Sequence, residues 1–155
     1  MAFGKRIRLF RTRKGLLQKQ LGELLGFHGK TSDVRIAQYE NESRTPKDDL
    51  VKQMADILDV SPSAISVPDI DTYIGLMHTL FALEDMYGLK VNETAGNLSL
   101  RPDPSHKEFS AISEMLSLWA GWSKKLQDGE ISREEYDNWR YNYPKDTPGY
   151  VNMNP

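Results

Sequence analysis

The stretch that most constrains the fold is Thr31–Pro46, TSDVRIAQYENESRTP. Before Tyr39 its apolar residues are only Val34, Ile36 and Ala37, so a helix here docks one narrow face while the rest stays in water. Ser32 is placed to N-cap that helix, its hydroxyl accepting from the free N–H groups of the first turn. Asp33, Arg35 and Gln38 are left projecting outward. Thr45-Pro46 sets an N-cap and first-turn proline for the next helix, with Asp48 near its positive end. The outward residue types are those that hydrogen-bond base edges and phosphates in a DNA major groove.

The flanks supply a frame. Phe3–Lys14 predicts a helix with Phe3, Ile7 and Phe10 or Arg11 on one stripe, stopped by Gly15. Gln18–Leu25 predicts a second, with Leu21, Leu24 and Leu25 inward. Gly22 lies inside it at a cost of roughly 1 kcal/mol against alanine, which marks a close approach between helices. Gly26 and Gly29 bracket a turn, and Ser32–Asn41 forms the third helix. Pro46–Leu58 forms the fourth, with Leu50, Met54, Ile57 and Leu58 inward, and Ser61-Pro62 opens a short fifth through Ile65.

Residues 3–66 thereby resemble the Cro/C1-type (XRE-like) helix-turn-helix family of bacterial and phage regulators. The matching elements are the helix-1 basic residues, Gln18-x-x-Leu21-Gly22, Gly26-Phe27, Ile36-Ala37-Gln38-Tyr39-Glu40, Arg44-x-Pro46 and Leu50 through Val60-Ser61. The resemblance implies a five-helix, lambda-repressor-like domain that binds double-stranded DNA. It implies that Asp33, Val34, Arg35 and Gln38 read bases, and that Gln18, Lys30, Ser32, Asn41 and Arg44 hold phosphates. Arg11 would pair with Glu40 as a structural tie. Three positions depart from the family. The turn Phe27–Thr31 is longer than usual and shifts the start of the third helix; Leu17 stands where a small polar N-cap is preferred; Glu42 stands where glycine is common, so Asn41 or Glu42 takes any left-handed turn.

The charge distribution agrees with a polyanion partner for the first half. Residues 1–66 carry 12 Lys and Arg against 8 Asp and Glu, whereas residues 67–155 carry 8 against 14. There is no cysteine, which removes disulfides and thiolate chemistry together. No apolar run is long enough for a membrane span and the N-terminus has no secretory apolar core, so a cytoplasmic location is expected.

The second half predicts an α-β-β-α-α arrangement, making the chain mainly α with a small α+β C-terminal domain. Val67-Pro68-Asp69 begins a linker over 67–71. A helix from Thr72 to about Tyr87, capped by Asp71, is apolar on most sides and must be buried by something. Leu89–Asn92 and Leu98–Arg101 alternate apolar and polar residues around Ala95-Gly96-Asn97, a hairpin. Ser105-x-x-Glu108 reads as a capping box opening a long helix that Gly129 ends. Ser132-x-x-Glu135 reads as another, opening a last helix through Trp139 and Tyr141. The domain is expected to span 72–141, followed by a loose tail over 142–155.

Met77, Phe81, Trp119, Trp122 and Trp139 can be read as core or as the lining of a site for an unknown small-molecule or protein effector, and core is the more economical reading. Catalysis finds no support: His28, His78 and His106 lack metal-ligand spacing, and no phosphate-binding glycine motif occurs. No metal or cofactor is implied. The expectation is a regulator of transcription, a repressor acting as a homodimer through its C-terminal half; the rival is a protein-interaction or antitoxin-like module.

Overall fold

The computed structural model describes residues 3–66, 68, 70–145 and 147. Among these the chain is mainly helical with one two-stranded antiparallel sheet, and it forms two compact units. The first comprises Met1–Asp69 with Asp137–Pro155, and the second Ile70–Tyr136. The expected boundary at 141 therefore moves: Asp137 onward groups with the first unit. Within the expected linker, Val67 and Asp69 lie outside the described residues, as does most of the expected tail.

The first unit is built from α1 (Phe3–Arg13), α2 (Gln18–Leu24), a single 3-10 turn (Gly29–Thr31), α3 (Ser32–Glu40), α4 (Asp48–Leu58) and α5 (Pro62–Ile65). Gly15, at φ +72°, takes the left-handed turn that ends α1. Helix α2 lacks a capping side chain at Leu17, but Gln20 Oε1 reaches back to accept from the Leu17 N–H at 2.7 Å. Helix α4 starts two residues later than expected, with Lys47 at its N-cap and no side-chain cap bond; Pro46 is buried ahead of it. Asp48 and Asp49 sit in its first turn, where the helix dipole favours them. Ser61 caps α5, its Oγ accepting from the Ala64 N–H.

One core holds these helices together: Ile7, Phe10, Leu21, Ile36, Met54 and Ile65 are fully enclosed or nearly so. Leu24, expected inward, is exposed, because α2 meets α3 on the Gly22 side of the helix. Tyr141 belongs to this core, its ring edge-on to Phe10 at 4.9 Å. The Tyr141 carbonyl accepts from the Ser61 N–H, and Asn142 Nδ2 donates to the Asp59 carbonyl. Tyr141, expected in the second domain, and Asn142, expected at the start of the loose tail, are thus bound into the first unit.

The second unit contains α6 (Tyr73–Tyr87), β1 (Leu89–Thr94), β2 (Asn97–Pro102) and α7 (Phe109–Gln127). Helix α8 (Arg133–Asn142) begins in this unit and ends in the first. Thr72, not Asp71, caps α6, its Oγ1 accepting from the Gly75 N–H at 2.9 Å. The strands pair in register from Leu89↔Pro102 to Thr94↔Asn97 around Ala95-Gly96, both at positive φ. The expected capping box at Ser105 is absent: its N–H and Oγ both donate to Asp103 Oδ1, and α7 starts at Phe109. The box at Ser132 forms, with Glu135 accepting from Ser132 and returning its N–H to Ser132 Oγ.

Candidate nucleic-acid interface

Helix α3 is held by its backbone. Gly22 on α2 lies against Ser32, where a Cβ would overlap the Ser32 carbonyl and lie 2.8 Å from its Cα. At the other end, Gly4 on α1 is pressed against the Glu40 and Tyr39 carbonyls. Ser32, Ile36 and Tyr39, at i, i+4 and i+7, face the core, which turns Asp33, Val34 and Arg35 outward with Gln38 half-buried beside them.

The long turn determines how α3 begins. Gly29 takes φ +64° and the 3-10 turn runs directly into the helix. Thr31 occupies the N-cap without a side-chain cap bond, and its Oγ1 donates to the His28 carbonyl. Ser32 is neither the cap nor a phosphate ligand: it is fully buried and its Oγ donates to the Gly29 carbonyl at 2.7 Å. The hydroxyls are spent closing the turn. Lys30 is exposed on it.

Arg11 and Glu40 are brought together, with Nη2 donating to Oε2 at 3.1 Å and Nε to Oε1, while Arg11 Nη1 reaches the Leu16 carbonyl. Gln18 joins this group, its Nε2 donating to Glu40 Oε2 at 2.8 Å. An amide nitrogen carries two hydrogens, so one N–H of Gln18 remains to point elsewhere. Past α3, Asn41 Oδ1 accepts from the Ser43 N–H, and the Arg44 N–H donates to the Gln38 carbonyl. Glu42 takes the left-handed conformation at φ 61°, and its Oε1 accepts from the Gly4 N–H.

Two residues here escape sequence reasoning. Phe27 forms a platform for Arg35, whose guanidinium lies 4.7 Å from its ring centroid. An aromatic next to a glycine turn and eight residues before an arginine was the available signal. Tyr141 gathers Arg6, Arg13 and Arg140 over its ring, at 5.5, 4.9 and 4.6 Å. Arg6 Nε also donates to the Ala64 carbonyl, and burial pushes its pKa down, opposed by Tyr141 and reinforced by Arg140. Arg13 donates to Asn138. Arg11 and Arg13 are thus engaged within the unit, while Arg8, Lys14, Lys30, Arg35 and Arg44 stand exposed.

Elsewhere, among the described residues, no group of three or more His, Asp or Glu could hold a metal ion, and no helix is long and apolar enough to cross a membrane. Met77, Phe81 and Trp119 are exposed in the second unit, and Trp139 lies in the first.

Residues 7–65 match the family model described as helix-turn-helix. No curated protein matches the chain. Among solved structures, one titled "Crystal structure of transcriptional regulator BswR" is similar at 26% identity and a TM-score of 0.42, over 54% of this chain and 94% of that one.

Proposed function

We propose, from the premise that residues 7–65 are an XRE-type helix-turn-helix domain, that this chain is a sequence-specific, DNA-binding regulator of transcription. The observation that carries the reading is the outward face of α3: Asp33, Val34 and Arg35 are exposed with Gln38 half-buried beside them, while the helix under them is fixed by Gly4 and Gly22. Arg35 and Gln38 are bidentate donors or acceptors of the kind that read guanine and adenine edges. Val34 suits a thymine methyl, and Asp33 accepts from the amino group of cytosine or adenine. Lys30, Asn41, Arg44 and the second N–H of Gln18 meet the phosphates on either side.

A single α3 spans few base pairs. The regulator therefore works as a dimer on half-sites about one helical turn, roughly 34 Å, apart, and acts as a repressor, since occupancy alone blocks polymerase. It performs no catalysis.

Fluorescence anisotropy on the DNA upstream of its own gene, against random DNA across a salt series, tests this. Selective binding with a log–log salt slope that reflects several neutralised phosphates is expected. Gln38→Ala costs about 1–3 kcal/mol on the specific site and little on random DNA. Equal loss on both would reassign Gln38 to positioning, and absence of selectivity at every salt concentration would favour a protein-contact module.

A further inference from the structure

Arg35 is held differently from the other arginines near α3. Arg11 and Arg13 are fixed by hydrogen bonds, to Glu40 and to Asn138. Among the described residues, none hydrogen-bonds or ion-pairs with the Arg35 side chain; what it meets is the ring of Phe27, 4.7 Å from its guanidinium carbon. That ring is itself fixed. The Phe27 N–H donates to the Gly22 carbonyl at 2.9 Å, and its half-buried side chain packs against the first core. Helix α3 is fixed in turn by Ser32 and Ile36, both fully buried. The meeting of ring and guanidinium is therefore set by the same frame that sets the crossing of α2 and α3.

We infer that Phe27 is a positioning residue for base reading: it holds the Arg35 guanidinium in one plane and so makes Arg35 a reader of guanine in preference to phosphate. The inference deepens the proposed function and rests on it. A stacked guanidinium has one face covered, while its N–H donors lie along its edge and stay open. Guanine presents O6 and N7 side by side in the major groove, so a donor fork already set in a plane makes both bonds at once. Adenine puts an amino donor beside its N7, where Arg35, having donors only, loses one of the two.

A phosphate accepts from many directions and gains nothing from a fixed plane. An unsupported arginine must give up its rotamer freedom at a base edge, and can satisfy its charge on the DNA backbone instead. The ring thus favours one of two competing contacts. Phe27 acts through Arg35, and its effect belongs at the one base pair that Arg35 reads.

Selection by the full chain from a randomised double-stranded DNA library supplies the site, and anisotropy on the selected duplex and its single-pair variants tests the inference. Arg35→Ala marks the pair that Arg35 reads, as the one where discrimination disappears, and that pair is expected to be G·C. Phe27→Leu keeps apolar bulk against the core and removes the ring. It is expected to lower discrimination at that pair about two- to fivefold, the strength of an exposed cation–π contact, and to leave the other pairs and random DNA alone. Phe27→Tyr is expected to retain the discrimination, and Phe27→Leu to add nothing in the Arg35→Ala background. In the free wild type, the Arg35 Nε–H is expected to show a higher NMR order parameter than that of exposed Arg8. Equal losses at every pair and on random DNA would reduce Phe27 to a support of the turn. Tighter binding by Phe27→Leu, or an Arg35 as mobile as Arg8, would also overturn the inference; where Phe27→Leu unfolds, the order parameter decides. A library that enriches no duplex removes the regulator and this inference together. A selected site that Phe27→Leu reads as well as the wild type, or at which Arg35→Ala erases no pair, removes this inference alone.

Discussion

The two units bury their apolar residues to very different extents. The first encloses Ile7, Phe10, Leu21, Ile36, Met54, Ala55 and Ile65 almost completely, and recruits Tyr141 from the far end of the sequence to finish the job. The second has a comparable supply of large apolar side chains, yet among its described residues only Ile112 and Tyr136 are buried ones. Composition does not separate them, because α6 is more hydrophobic along its length than α1, α3 or α4. What separates them is closure. Short helices joined by tight turns fold back on one another between Phe3 and Ile65, whereas one long helix, a two-stranded hairpin and a second long helix offer faces without enough chain to cover them. A hairpin alone is marginal in water, and this one has α6 beside β1 and α7 beside β2.

That contrast can be broken in several ways. The largest effect is expected at Tyr141: replacement by alanine removes an aromatic ring from the first core and costs about 3–5 kcal/mol in chemical denaturation of the first unit. A loss confined to the second unit would return residue 141 to the side the sequence suggested. The same substitution at two methionines sharpens the point. Met54→Ala is expected to cost about 3 kcal/mol and Met77→Ala less than about 1 kcal/mol, when unfolding is followed at concentrations low enough for monomers. Equal costs would mean that α6 is as enclosed as α4.

Glu40→Gln loosens the tie to Arg11 and Gln18. Both charged side chains are mostly but not wholly shielded, so about 2 kcal/mol is expected, visible as a lower thermal midpoint of the first unit alone. The smallest effect lies on the surface of the second unit. Lys90 and the Ser105 N–H and hydroxyl hold the Asp103 carboxyl far below the usual carboxylate range, and Asp103 in turn raises Lys90. A carboxyl depressed in the folded state contributes stability above its unfolded pKa, about 3.9, and that contribution is lost as pH falls further. Lys90 contributes below its ordinary value of 10.5, and its share is lost as pH rises through the raised one. Protection of the Ser105 amide, measured as exchange relative to its intrinsic rate at each pH, is therefore expected to be greatest between these limits and to fall on acidification, and Asp103→Asn to remove the acid-side change.

Much of the first unit was legible because local rules and tertiary packing agree there. Gly15, Gly22, Ser61-Pro62 and the Ile36/Tyr39 spacing each point to the geometry observed. The misses have particular causes. Ser32 and Ser105 looked like caps because serine oxygens accept readily from a free first turn, but each hydroxyl is instead drawn into a local turn, donating to the Gly29 carbonyl and to the Asp103 carboxylate. The start of α4 slipped past Pro46 because that residue packs ahead of the helix instead of within its first turn. Tyr141 could not be placed, since a contact between residues 10 and 141 leaves no local periodic trace. For the candidate interface, the direction in which α3 presents its residues was readable from helical spacing, while Phe27 beneath Arg35 depended on how a long turn closes.

The contact between Gly22 and Ser32 has a consequence for how such a chain can change over time. The crossing of α2 and α3 is set by main chain against main chain, and the residues that secure it point inward. Positions 33, 34 and 35 share no atom-level duty with that crossing. They can be exchanged without touching that crossing, whereas a single methyl group added at position 22 would force α2 and α3 apart.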